Sequence, residues 1–219
     1  MNYGKEVSGI LKRFRTQKLK NHRFLLGRHR CLVVYESSIK EAVPIIEKAL
    51  KRCAKILTPK SDITVIVVNS ADEFVKNRML GVAGYTLNNH IISFEINTDN
   101  SKWKKALTGT VAHEFNHALR FNFINGRFSL RDSMAFEGLA QCFEVEINRK
   151  VPPWSRALTK GKAEKVWVKI KPYLNSRSGK VYREIFFGSR KFPQWSGYTV
   201  SYIIVRKRLS VLKISWNDA

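Results

Sequence analysis

His113, Glu114 and His117 stand in the run Ala112-His-Glu-Phe-Asn-His-Ala-Leu-Arg120. On a helix, side chains four residues apart lie one above the other, so the two imidazoles can point at one metal ion. Glu114 is offset around the helix, where its carboxylate can take a proton from a water that the metal activates. The chain has five histidines, and two of them fill these positions. A catalytic site for Zn2+ needs a third protein ligand and keeps one position for water. Glu137 is the candidate, in Asp132-Ser-Met-Ala-Phe-Glu-Gly-Leu-Ala-Gln-Cys-Phe-Glu144. It sits between apolar neighbours, where a buried carboxylate needs a cation or hydrogen-bond partners. The step of twenty residues from His117 leaves room for one helix to end, a turn around Asn125 and Gly126, and an antiparallel return. Glu144 and Glu146 read as solvated helix acids.

A carbonyl attacked by water develops an oxyanion, and a hydrogen-bond donor opposite the metal lowers that barrier. Tyr198, in Trp195-Ser-Gly-Tyr-Thr-Val200, is the candidate donor. Gly197 reads as the turn that lets the phenol reach inward; the competing reading is a core tyrosine packed on Trp195. Arg120 reads as a brace or a carboxylate-binding group, and His90 as an edge or surface residue.

These groups need two helices to position them. Trp103, Ala106, Leu107, Val111, Ala112, Phe115 and Leu119 give the first an apolar side, with Asp99, Asn100 or Ser101 as its cap. Gly109 weakens that helix slightly but permits close approach of another backbone. Met134, Phe136, Leu139, Ala140, Phe143 and Ile147 do the same for the second helix. Upstream, residues 31–35 and the β-branched run 63–68 predict buried strands. Residues 37–56 predict a helix capped by Ser38, with Pro44 tolerable only near its start. Ser70-Ala-Asp-Glu-Phe74 predicts the cap of a short helix, Gly81 and Gly84 flank a predicted flexible turn, and residues 90–96 predict a third strand. The segment Gly84–Ile96 offers a strand beside the active helix that could pair with an extended peptide through main-chain hydrogen bonds; the competing reading is a simple hairpin edge. The fold class is therefore α+β. Residues 1–30 read as a basic leader, with a short amphipathic helix around residues 7–14. Residues 31–219 read as one domain, made of a strand-containing lobe over 31–98 and a mainly helical lobe over 99–219, with a seam near residues 98–101.

Forty Lys and Arg against seventeen Asp and Glu give a formal charge of +23 over 219 residues. The excess lies at both ends, around a nearly balanced middle. Such a potential favours nucleic acid or an anionic membrane surface as a weak partner. No zinc-finger spacing or nucleic-acid motif accompanies it. Cys31, Cys53 and Cys142 form no disulfide framework, which points to a reducing, cytoplasmic setting. No apolar run is long enough for a membrane span, and no continuous apolar core follows the basic start as a secretory signal would require.

His-Glu-x-x-His at 113–117, followed twenty residues later by Glu137, resembles the gluzincin metallopeptidases. Three blocks stand in order, Ala112-His-Glu-Phe-Asn-His-Ala-Leu-Arg120, Glu137-Gly-Leu-Ala140 and Trp195-Ser-Gly-Tyr198. More narrowly, they resemble a bacterial family of predicted zinc-dependent proteases, the domain family of unknown function numbered 2268. The likeness spans about residues 60–210. It implies a zincin-like fold with a small N-terminal mixed sheet and a helical active-site lobe. It also implies a zinc hydrolase with His113, His117 and Glu137 as ligands and Glu114 as catalytic base. Two positions depart from the pattern. Gln141 stands where thermolysin-like enzymes carry an Asp that supports a zinc histidine; its side-chain oxygen could accept an imidazole N–H, but without charge. Ser201 breaks a Gly-Tyr-x-x-Gly run, which predicts looser packing there. The reading is a zinc-dependent peptidase acting on a peptide or protein. The alternative is a non-catalytic basic binding protein for nucleic acid or an anionic surface, with a structural zinc.

Overall fold

The computed structural model describes residues 19–121 and 128–214. The chain divides into two compact units, Met1–Asn122 and Phe123–Ala219. The helix expected around residues 7–14 and the turn at Asn125 and Gly126 lie outside the described residues.

The first unit is built on one mixed sheet of five strands in the order β1-β2-β3-β5-β4. Strands β1 (Leu19–Leu26) and β2 (His29–Glu36) form an antiparallel hairpin. Gly27 turns it at φ 62°, a left-handed conformation that glycine adopts at no steric cost. Residues 19–26 fall in the stretch expected to be a leader. They form a strand instead, because Phe24 and Leu26 turn inward while Lys20 and Arg23 stay in solvent. Strand β3 (Ile63–Asn69) pairs parallel with β2 and with β5 (Ile91–Ile96), and β4 (Val82–Asn88) pairs antiparallel with β5.

Helix α1 (Ala42–Ala54) buries Val43, Ile46, Ala49, Leu50 and Cys53, the stripe its spacing predicts. Ser38 does not cap it: residues 37–39 form a separate 3-10 turn and α1 starts at Ala42. Pro44 is thus in the first turn, where its missing N–H removes no intrahelical bond. Asp72 caps the short helix α2 (Glu73–Arg78), its Oδ1 accepting the Phe74 N–H at 2.6 Å. Helix α3 (Trp103–Arg120) packs on α1 and β4. This is why the units part after residue 122 and not at the seam expected near residues 98–101.

The second unit is helical. Helix α4 (Leu130–Asn148) opens with a capping box between Ser129 and Asp132. Its next donors, the N–H groups of Leu130 and Arg131, reach the carbonyls of Ser176 and Leu174 at 2.7 and 2.9 Å. Helices α5 (Lys160–Ile170), α6 (Gly179–Phe187) and α7 (Ser196–Leu212) follow. Leu130, Met134, Val166, Ile170, Ile185, Phe186 and Val200 make the core. Where α4 crosses α7, a Cβ at Gly138 would lie 2.4 Å from Val205 Cγ2 and 2.7 Å from the Ser201 carbonyl oxygen. Packing at Ser201 is therefore tight, contrary to expectation; the missing side chain is on the facing helix. Among the described residues, no helix is long and apolar enough to cross a membrane.

Candidate metal centre

Helix α3 carries the first part of the site. Leu107, Val111, Ala112, Phe115 and Ala118 are buried at helical spacing and fix its rotation. His113, Glu114 and His117 are buried with them. The two imidazoles meet edge to face, with ring centroids 4.7 Å apart, as four-residue spacing predicts.

Strand β4 holds Glu114. The Thr86 hydroxyl lies 2.9 Å from Glu114 Oε2 and 2.9 Å from the Glu114 carbonyl oxygen. Two residues earlier on the same face, a Cβ on Gly84 would sit 2.5 Å from Glu114 Cγ and 2.9 Å from Thr110 Cγ2. Sequence reading missed both residues. Gly84 looked like a turn, whereas it is a strand position left bare so that Glu114 can lie across it. Gly84→Ala is expected to force Glu114 or the strand aside and to destabilise the first unit by about 1–3 kcal/mol. Denaturant unfolding measures the loss; wild-type stability would mean that Glu114 moves away freely.

Helix α4 carries the second part. Glu137 is half-buried, and its Oε1 accepts the Tyr182 hydroxyl proton at 3.2 Å. Tyr182, on α6, stacks on Phe186 with centroids 4.3 Å apart. Burial, with Tyr198 and Glu137 beside it, pushes the Tyr182 phenol well above its ordinary pKa, so it stays a donor at neutral pH. Sequence spacing had not singled out this residue.

Tyr198 lies on α7, edge-on to Phe186 at 4.9 Å and to Trp195 at 5.6 Å. The turn before it is at Trp195, which has φ 65°, and not at Gly197. Gly197 is already helical and leaves room for the Phe186 ring, which a Cβ would meet at 2.7 Å. Arg120 is buried, and burial presses its guanidinium pKa down. His90 is exposed in the β4–β5 turn.

Two expectations are corrected. Gln141 supports no histidine: its amide N–H groups go to the carbonyls of Glu137 and Tyr198 at 3.2 and 3.1 Å, and its oxygen accepts the Ser155 hydroxyl. It ties α4 to the start of α7. Glu144 is buried, not solvated, whereas Glu146 is half-buried and pairs with Arg149 at 3.1 Å.

Among the described residues, His113, His117 and Glu137 form a group able to hold a metal ion, their ligand atoms all within 4.8 Å of one another. Two imidazole nitrogens and one carboxylate oxygen are the donors a catalytic zinc takes, with a coordination position to spare. The residues present therefore fit zinc. The family profile described as predicted Zn-dependent protease (DUF2268) matches residues 42–219. The chain belongs to this family. Its fold is α+β and zincin-like, a small mixed sheet followed by helices. No curated protein matches the chain. Among solved structures it is similar to a crystal structure of an aminopeptidase N family protein from Idiomarina loihiensis, at 10% identity and a TM-score of 0.51. That alignment covers 90% of this chain and 39% of the other, and it bears on the fold alone.

Proposed function

We propose that the protein is a zinc-dependent peptidase, with His113, His117 and Glu137 as metal ligands and Glu114 as general base. The observation that carries this reading is the convergence of those three ligand atoms within 4.8 Å, in a chain of this family. A zinc ion held there would supply Lewis-acid chemistry, polarising a carbonyl and making water more acidic. Glu114 takes the proton from the attacking water and passes it to the leaving amine. Thr86 keeps one Glu114 oxygen occupied, which fixes the direction of the other. Strand β4 ends the sheet, and its outer edge offers main-chain groups to an extended peptide. The substrate class is therefore a peptide or protein.

Tyr198 is the proposed donor to the oxygen that gains charge. Tyr198→Phe removes one hydrogen bond and little packing, so kcat is expected to fall about a hundredfold or more with zinc retained. A wild-type rate would return Tyr198 to a packing role.

The proposed setting is the cytoplasm. Cys31, Cys53 and Cys142 are free and buried, with burial pushing Cys31 and Cys142 up to about 12. Such thiols suit a reducing compartment. A peptide-library digest with zinc-loaded protein and a chelator control tests the activity. Metal-dependent cleavage supports it. Salt-sensitive binding to nucleic acid or anionic vesicles, with no cleavage across the library, would overturn it in favour of a basic binding protein with a structural zinc.

A further inference from the structure

The Glu137 carboxylate, on α4, has a built partner. The Tyr182 hydroxyl donates to Oε1 at 3.2 Å. The ring that carries this hydroxyl is not free to turn away. It stacks on Phe186 at 4.3 Å and 21° between planes, and meets Phe187 edge-on at 6.3 Å. Phe186 is itself fully buried and is pressed by the bare backbone of Gly197. A phenol placed this rigidly fixes the plane and the rotation of the carboxylate it touches.

We propose that Tyr182 is a positioning residue for the metal ligand Glu137, holding one carboxylate oxygen so that the carboxylate meets a cation in a single orientation. This rests on the zinc reading above and deepens it. A partner to a metal ligand restricts its orientation before the ion arrives, and losing such a partner commonly weakens affinity about 10–100-fold.

The test is zinc affinity of the metal-freed full chain, by competition with a chromophoric chelator, together with the visible spectrum of the cobalt-substituted protein. Tyr182→Phe keeps the ring on Phe186 and is expected to lose about 10–100-fold in affinity, with shifted cobalt bands. Glu137→Ala and His113→Ala are the controls. If both keep wild-type affinity, the zinc reading fails and this proposal with it. If both lose affinity while Tyr182→Phe keeps wild-type affinity and cobalt bands, only this proposal is overturned. Should Tyr182→Phe not fold, the ultraviolet difference spectrum of Tyr198→Phe on zinc addition decides: a perturbed tyrosine band supports the proposal, and a flat difference overturns it.

Discussion

Glu114→Gln is expected to remove about 10²–10⁴-fold of kcat and to leave zinc bound. The substitution keeps the shape of the side chain and takes away its basicity. Glu114 is buried and lies across Gly84, so a residue of different size would disturb β4, whereas Gln fits the same space. The amide oxygen of Gln can still accept the Thr86 hydroxyl, which now donates to Oε2 at 2.9 Å. Fold and metal content should therefore be unchanged while the proton acceptor is gone. Steady-state kinetics alongside elemental analysis measures both. Equal turnover by the two proteins would remove Glu114 from the chemistry and move the search for the base elsewhere.

Glu137→Ala is expected to weaken zinc binding by more than the about 10–100-fold that loss of a supporting hydrogen bond costs, because it removes a ligand and a negative charge together. It also leaves the Tyr182 hydroxyl without its acceptor at 3.2 Å, in an aromatic cluster. An unsatisfied buried donor costs about 1–3 kcal/mol, so some stability should go as well. Glu137→Gln separates the two effects: it keeps an acceptor for Tyr182 but not the charge. Zinc affinity falling in both variants, with stability falling mainly in the alanine, is the expected pattern. Circular dichroism distinguishes site loss from unfolding. Unchanged affinity would transfer the ligand role to another carboxylate, with Glu144, buried on the same helix, examined first.

The two site helices were legible in the sequence for different reasons. Helix α3 announces itself by apolar residues at helical spacing from Trp103 to Phe115, and His113 and His117 follow from the same period. Glu137 was reached through its apolar flanks and the spacing from His117, and the family resemblance agreed. Strand β4 was hidden because Gly84, which reads as a turn, is bare to make room for a side chain thirty residues later. That need belongs to tertiary packing and leaves no periodic trace. Strand β1 was hidden because the exposed Lys20 and Arg23 look like part of a basic tail. Tyr182 could not be found by spacing, since only the folding of α6 beside α4 brings residue 182 to residue 137. The expectation for Gln141 came from analogy with other enzymes; here Ser155 and two main-chain carbonyls occupy its amide.

Helix α4 supplies its own starting point. Ser129 and Asp132 close the capping box, and the carbonyls of Leu174 and Ser176 take the next donors. Glu137 falls about two turns further on. Its place along the helix is thus set by residues downstream of the connection from α3, and the length of that connection does not enter. A homologue with a longer or shorter stretch between the second histidine and the glutamate is expected to keep the capping box and the five-residue step from its aspartate to the carboxylate. A search pattern with a fixed gap after the histidine pair will pass over such chains. One keyed to Ser-x-x-Asp, with the glutamate five residues after the aspartate, will recover them.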